Sequence, residues 1–291
     1  MIVMVPSILY KKDAFVSLIV SKLAFAEIDY AQKHLSLTKA NRKGARHLEA
    51  GVVLLINYKA SRDKSEYVFQ LIKRSEKVAQ GGDISCPGGI FSPGVDHLLA
   101  YLLKTVLVPA FRRQKSYRAT SDKKTSFLVN LFLANALREA WEEIGLNPIN
   151  AKFLGALPSY SLSSFTRTIF PLVCLTGKPF TYRLSAEVEK ILEVPVSSFF
   201  QSENYALLQV QTPTGIDAYD PDTKFPCLTI PDDSGNVDIL WGATFQIITD
   251  FLRLLFGNTL PAADDRKTIK KIIGESYLSG NKKANGRIEN K

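Results

Sequence analysis

One segment constrains this chain most, because a long helical pattern in it ends with three closely spaced carboxylates. The apolar periodicity predicts a helix over residues 125–144, and Gly145 is a residue type that commonly ends helices. Glu139, Glu142 and Glu143 lie at i, i+3 and i+4, so they share one face of that helix. These like charges repel, and the dipole at this helix end disfavours anions. The pattern predicts either a solvated acidic helix end or a site for a hard divalent cation.

Length and charge bound the class of protein. The 291 residues allow one large domain or two, and a hydrophobic content of 46% suffices for a sizeable core. The formal net charge of +9, with an isoelectric point near 9.3, indicates an anionic partner. Nucleic acid, a membrane surface and a polyphosphate small molecule all meet that requirement, so charge alone does not choose among them.

Cysteine usage points to a compartment. The three cysteines are odd in number, widely separated and without a CxxC pair, which argues against a disulfide framework or a zinc site. They favour a reducing environment, so we expect a cytoplasmic protein. The three histidines lack ligand spacing and are interpreted as surface or packing residues. The apolar run 14–25 is interrupted by Lys22 and is too short to span a bilayer, so it is assigned to an amphipathic helix over residues 13–33.

Strands interspersed with helices predict a single α/β domain with decorations. Strands are expected at residues 50–57, 67–73, 169–175, 207–211 and 225–230. Further helices are expected at residues 96–111, 186–194 and 241–256. We predict an N-terminal helical extension at 1–49, a main domain at 50–260, and a basic tail at 261–291 with a short helix followed by disorder.

A glycine-dense loop at residues 80–89 provides a second functional signal. Gly88 and Gly89 follow a proline, and glycines in such a turn let backbone N–H groups approach a ligand closely. Lys73 and Arg74 precede the loop and carry positive charge suited to phosphate. Carboxylates that hold Mg²⁺ against a diphosphate beside such a turn would support attack of water on phosphorus.

The chain resembles the Nudix hydrolase superfamily, whose box is matched by Gly89 and by the run Arg138-Glu-Ala-Trp-Glu-Glu-Ile-Gly-Leu146. More narrowly, it resembles the coenzyme A diphosphatase branch of that superfamily. Segments at 71–75, 85–89, 154–158, 171–173, 187–196 and 239–244 are similar to that branch and occur in the same order. The resemblance covers residues 50–255.

The resemblance implies a fold and a set of site residues. The fold would be a Nudix-type α/β/α sandwich with a mixed central sheet, an added N-terminal helix and a helical insertion. The cofactor would be Mg²⁺ or Mn²⁺, held by Glu139, Glu142 and Glu143. Glu139 would complete the metal site or accept a proton from the attacking water, and Arg138 would orient it. The substrate would be bound by Lys73, Arg74, Gly88 and Gly89.

The chain departs from the family inside the box. Residues of about 90–125 form an insertion between Gly89 and the acidic helix, and the loop 112–124 within it is rich in Arg and Lys. That loop is interpreted as a solvated connection, a lid that binds substrate phosphates, or a surface for membrane or nucleic acid. The first acid of the box has no clean match, since Val95 stands in its place and Asp96 follows. Asp96 and Glu187 are kept as further candidates for the site.

The function implied by the resemblance is metal-dependent hydrolysis of a nucleoside diphosphate linked to another moiety. Coenzyme A or a derivative is the favoured substrate, giving 3′,5′-ADP and 4′-phosphopantetheine. The alternatives are a Nudix hydrolase of another dinucleotide, such as NADH or ADP-ribose, and a Nudix-fold binding module without turnover. The expected partner is a small nucleotide; a homodimer is left open, and nucleic acid or a membrane surface is less favoured.

Overall fold

The architecture comes from a computed structural model of the full chain. It describes residues 4–60, 65–105, 122–162, 166–177, 181–211, 223–232, 234–263, 267–273 and 277. The described helices are α1 (Lys12–Leu23), α2 (Tyr30–Arg42), α3 (Pro93–Thr105), α4 (Lys123–Ile144) and α5 (Gly242–Phe256). Short 3-10 helices lie at Ser7–Tyr10, Pro148–Asn150, Val196–Phe200 and Ser202–Asn204.

The first eight strands form one mixed sheet. Its strands are β1 (Leu48–Lys59), β2 (Glu66–Arg74), β3 (Ile84–Ser85), β4 (Gly88–Ile90), β5 (Ala151–Ala156), β6 (Tyr160–Leu162), β7 (Arg167–Thr176) and β8 (Val188–Pro195). The order is β3-β2-β1-β7-β5, with β4 paired to β1, β6 to β7 and β8 to β2. Strands β1 and β7 are parallel and the other pairs are antiparallel, so the sheet is mixed as predicted.

A smaller sheet completes the described strands. It contains β9 (Tyr205–Gln211), β10 (Lys224–Pro231), β11 (Val237–Trp241) and β12 (Thr268–Ile272), in the order β11-β10-β9-β12. Strand β12 runs parallel to β9, whereas β10 pairs antiparallel with both of its neighbours.

Both faces of the large sheet are covered, because successive residues of β1 point to opposite sides. Val53 and Leu55 belong to a core that includes much of α4. Leu54 and Ile56 belong to a second core that includes buried residues of α1 and α5. All four side chains have no solvent exposure. The predicted α/β/α sandwich with a mixed central sheet is therefore confirmed.

Most predicted elements are confirmed with small shifts of their ends, and two are wrong. The expected single helix over 13–33 is two helices, because Asp29 turns away to accept hydrogen bonds from the N–H and hydroxyl of Ser159 at 2.8 and 2.7 Å. The expected helix at 186–194 is strand β8, whose pairing with β2 outweighs local helix propensity. In the tail, the described residues add strand β12, which was not expected. Tyr277 is helical but its neighbours lie outside the described residues, so the short helix expected there stays a prediction.

Two expectations lie partly or wholly outside the described residues. The helix expected at 96–111 is α3, which is described up to Thr105, and most of the basic loop 112–124 falls in the undescribed range 106–121. The boundaries at residues 50 and 260 stay a prediction. Within the described ranges, no helix is both long enough and apolar enough to cross a membrane.

Candidate active site

Helix α4 carries the acidic triplet and is fixed at both of its ends. At the N-terminus, the Asp122 carboxylate accepts hydrogen bonds from the backbone N–H groups of Lys124 and Thr125 at 2.7 and 3.0 Å. At the C-terminus, Gly145 adopts a left-handed conformation with φ of 74° and donates its N–H to the carbonyl of Trp141 at 3.0 Å. The three carboxylates therefore lie in the last one and a half turns of α4, whose end is held in place.

The glycine turn lies directly against this end of the helix. The backbone N–H of Gly88 donates to Oε2 of Glu143 at 2.9 Å. A Cβ at position 89 would overlap the carboxyl group of Glu139, and one at position 88 would overlap the backbone of Gly51 and Val52. Only glycines allow β4 to approach β1 and α4 this closely, so the two sequence signals meet in one place.

Two of the three helix carboxylates are substantially buried. Glu143 is 5% exposed, and burial raises its pKa to about 7; the Gly88 N–H and the charge of Arg74 act in the opposite direction. Glu139 and Glu187 add like charge and reinforce the rise in that pKa. Burial also raises the pKa of Glu139, against the lowering influence of Arg138. The site therefore holds carboxylates whose negative charge is incompletely compensated.

Arg138 is a cation that pairs with two carboxylates of the acidic triplet. Its Nη2 lies 2.7 Å from Oε1 of Glu139, and its Nη1 lies 3.2 Å from Oε2 of Glu142. The acidic triplet is thus partly neutralised from its N-terminal side, by a residue four positions before Glu142. The position of Arg138 beside Glu139 is the one that the resemblance implies for an orienting group.

The Asp96 carboxylate binds the guanidinium of Arg138. Its carboxylate has no solvent exposure and accepts from Nε and Nη2 of Arg138 at 2.8 and 3.4 Å. It also accepts from the backbone N–H of Ser92 at 2.7 Å and from Nδ2 of Asn135 at 3.0 Å. Asn135 in turn accepts the N–H of Gly51 at 2.7 Å. Asp96 does not line the cavity described next, so it is placed to position Arg138 and to join α3 to α4.

The carboxylates open into a cavity of about 650 Å³. Arg74, Glu139, Glu143 and Glu187 line it together with both glycines of the turn. Its far wall carries aromatic side chains from β6, β10 and β11, namely Tyr160, Phe225 and Trp241. This volume falls in the usual range for small-molecule sites.

Several lining residues were missed by the sequence analysis. Arg167 and Ser85 each place an unpartnered buried polar atom, Nε and Oγ respectively, among the described residues of this cavity wall. Trp241 was assigned to the start of a helix but ends β11, where its ring nitrogen donates to Asp83 at 3.1 Å. Sheet register brings these residues together, and no local spacing in the sequence carries that signal.

Two of the residues predicted for the site, Lys73 and Glu142, do not line the cavity. Lys73 pairs with Glu189 and Asp238 at 3.0 and 3.3 Å and is not among the lining residues of the cavity. The Glu142 side chain is 56% exposed and faces Arg138 outside the cavity. Cys86 lines the cavity but its pKa is raised to about 12 by burial, so it is present as a thiol.

The oxygen ligands of the cavity suit a divalent cation. Among the residues that the structure describes, no three or more His, Cys, Asp or Glu side chains already converge as they would around a metal ion. The chemistry nevertheless fits: Glu139 and Glu143 offer oxygen ligands to one cavity, where burial raises the pKa of both groups and a bound cation would stabilise their charged forms. Hard cations such as Mg²⁺ and Mn²⁺ prefer such ligands.

Comparison with known proteins gives distant structural matches. No protein-family model and no curated protein matches the chain. A MutT/Nudix family protein from Enterococcus faecalis is 13% identical, over 78% of this chain and 72% of that one, with a TM-score of 0.38. A Nudix hydrolase from Alicyclobacillus acidocaldarius is 15% identical, over 52% and 80%, with a TM-score of 0.36. The Ap4A hydrolase of C. elegans, in a binary complex, is 14% identical, over 51% and 80%, with a TM-score of 0.32. At these identities, the function has to be argued from the residues of the site.

Proposed function

We propose that this chain is a Nudix diphosphatase, a metal-dependent hydrolase of a nucleoside diphosphate linked to another moiety. The observation that carries the proposal is the pair of carboxylates that line a cavity beside Arg74 and the glycine turn, the buried Glu143 and the partly buried Glu139. Carboxylates whose charge is incompletely compensated, beside a guanidinium, are suited to phosphate chemistry, because a metal ion and a phosphate together balance the charge.

Each residue has a role that follows from its surroundings. Glu139 accepts a proton from the attacking water, and the 2.7 Å contact with Arg138 holds it in position. Arg74, which is near enough to Glu143 to lower its pKa, binds an anionic oxygen of the anhydride. The water oxygen forms a bond to phosphorus while the bridging anhydride oxygen leaves. Glu187 at the cavity wall is a further proton acceptor or ligand.

Mg²⁺ or Mn²⁺ would be held by Glu143 and Glu139, the two α4 carboxylates that line the cavity, with Glu139 also able to act as base. Glu142, which the resemblance implies as a further ligand, would have to turn from Arg138 toward the cavity to join them. When bound, such an ion polarises a phosphoryl oxygen and makes the coordinated water more acidic. Every one of these ligands comes from the last turns of α4, so the helix delivers them as one rigid unit.

The favoured substrate is coenzyme A or a derivative, cleaved to 3′,5′-ADP and 4′-phosphopantetheine. Support comes from the branch-like sequence segments and from the aromatic wall of Phe225 and Trp241, whose rings lie 5.6 Å apart in an edge-to-face arrangement and can pack against an adenine. Another dinucleotide, such as NADH or ADP-ribose, is the alternative substrate, and a binding module without turnover is the alternative to an enzyme. A cytoplasmic location remains part of the proposal.

A substrate panel tests the proposal. Purified protein is incubated with coenzyme A, NADH or ADP-ribose and either Mg²⁺, Mn²⁺ or a chelator, in ¹⁸O-labelled water, and the products are identified by mass spectrometry. We expect metal-dependent release of 3′,5′-ADP from coenzyme A, with the label on one product phosphate. Glu139→Gln and Glu143→Gln should lose turnover, whereas Glu189→Gln, which removes a carboxylate outside the cavity, should not.

Three outcomes would contradict parts of this proposal. Inorganic phosphate as the first product would exclude hydrolysis at the anhydride. Cleavage of NADH or ADP-ribose with coenzyme A untouched would select the alternative substrates. Equal turnover in Glu143→Gln and Glu189→Gln would show that the carboxylates of the cavity do not form the active site.

A further inference from the structure

Arg167 is a charged residue of the cavity wall that the reaction described above does not use. It begins β7, beside the cavity, and its Nε is buried without a hydrogen-bond partner among the described residues. Burial lowers the pKa of its guanidinium, and the charge of Arg74 acts in the same direction. A partly buried guanidinium beside a second arginine is costly unless an anion binds between or beside them.

The register of the sheet separates Arg167 from the carboxylates. Gly89 pairs with Gly51 on β1, and Gly51 pairs with Phe170 on β7. Arg167 lies three residues before Phe170, which corresponds to about 10 Å along the strand. It therefore lies beyond the level of the glycine turn, on the side away from the helix carboxylates.

The cavity wall offers a second polar atom without a partner. The hydroxyl of Ser85 on β3 is buried, lines the same cavity and makes no hydrogen bond among the described residues. Arg74 also lines the cavity, where its Nε donates to the carbonyl of Ala79 at 3.0 Å, which fixes its side chain. The cavity thus presents a fixed guanidinium, a second guanidinium and a free hydroxyl, which are the donors that recognise a phosphate group.

We propose that Arg167 binds a phosphomonoester of the substrate that is separate from the cleaved anhydride, which Arg74 contacts. The ligand class is a nucleotide that carries a terminal phosphate on its ribose in addition to its diphosphate. This deepens the proposed function and rests on it, because a 3′-phosphorylated adenosine is the nucleotide half of coenzyme A. Arg167 is then a specificity-determining residue: it selects phosphorylated over unphosphorylated ribose.

Nucleotide binding tests this independently of turnover. Affinities for 3′,5′-ADP and for 5′-AMP, which differ by one phosphomonoester, are measured by calorimetry for the wild type, Arg167→Gln, Arg167→Lys and the control Arg183→Gln. Arg183 carries the same charge but lies on the surface, over the ring of Trp141 and outside the cavity. The wild type should prefer 3′,5′-ADP by about 10- to 100-fold, the range expected for charge-assisted hydrogen bonds to a phosphate.

The variants show whether Arg167 causes the preference for 3′,5′-ADP over 5′-AMP. Arg167→Gln should lose the preference by weakening 3′,5′-ADP alone, Arg167→Lys should keep part of it, and Arg183→Gln should keep all of it. Equal weakening of both nucleotides by Arg167→Gln, or no preference in the wild type, would overturn the proposal. Since Arg167→Lys keeps the charge, it supplies the test if Arg167→Gln fails to fold.

Measuring turnover of two substrates distinguishes failure of this inference from failure of the proposed function. The kcat/KM ratio for coenzyme A over dephospho-coenzyme A should fall about 10- to 100-fold in Arg167→Gln, while dephospho-coenzyme A is cleaved as by the wild type. Absence of any hydrolysis with the binding preference intact would overturn the proposed function and support the subsite. Hydrolysis of both substrates with an unchanged ratio would overturn the subsite and support the proposed function.

Discussion

Replacing Asp96 by asparagine should destabilise the protein far more than its conservative chemistry suggests. All the groups that surround the Asp96 carboxylate are donors: two N–H groups of Arg138, the backbone N–H of Ser92 and the amide of Asn135. Asparagine replaces one carboxylate oxygen by an NH2 group with two N–H donors, so at least one N–H would face another N–H. The guanidinium would also lose its fully buried counterion. Removing one partner of a buried pair costs about 3–5 kcal/mol.

A matched control comes from the other end of the same arginine. Glu142→Gln removes a carboxylate that lies 3.2 Å from Nη1 of Arg138, but its side chain is 56% exposed, so it should cost at most about 1 kcal/mol. Urea unfolding of metal-free protein measures both variants, with the m-value checked for constancy. Because the free energy of unfolding of a domain is about 5–15 kcal/mol in total, Asp96→Asn should still fold. Equal midpoints for the two variants would refute the positioning role of Asp96.

Further predictions concern the glycine turn and a histidine. Gly89→Ala should lower turnover about tenfold or more, because its Cβ would displace the Glu139 carboxylate, whereas Gly94→Ala meets no atom within 4 Å and should not; steady-state kinetics compare them. The His34 pKa is raised from 6.5, chiefly by its hydrogen bond to Glu49, so the pair stabilises the fold below that pH and this stability is lost as pH rises through the folded pKa. The stability difference between wild type and His34→Gln should therefore be larger at about pH 5.5 than at about pH 8.5. In a Glu49→Gln background, His34→Gln should show no such dependence in urea unfolding.

Elements with a strong pattern could be predicted from the sequence. The helix at 125–144 and the strands at 50–57 and 67–73 are confirmed, because their apolar patterns agree with the tertiary contacts that they make. Strand β8 could not be predicted, since its residues form a strand through pairing with β2, which is distant in sequence.

The site divides in the same way. The acidic triplet and the glycine turn carry local signals, and the structure places Glu143 within hydrogen-bonding distance of Gly88. Arg167 and Ser85 reach the cavity through the register of neighbouring strands, and Asp96 reaches Arg138 from another helix. Lys73 illustrates the converse: it has the right charge and sequence position, but strand geometry turns it to Glu189 and Asp238.

Direct titration with Mn²⁺ tests the central claim that the carboxylates of α4 form a cation site in this cavity. Metal-free wild type, Glu143→Gln and Glu189→Gln are titrated by calorimetry, and free Mn²⁺ is followed by electron paramagnetic resonance. The wild type and Glu189→Gln should bind Mn²⁺ alike, because Glu189 pairs with Lys73 outside the cavity. Glu143→Gln should bind it more weakly by at least the roughly 10–100-fold that loss of a supporting partner causes at metal sites. Equal affinity of Glu143→Gln and Glu189→Gln for Mn²⁺ would contradict the claim.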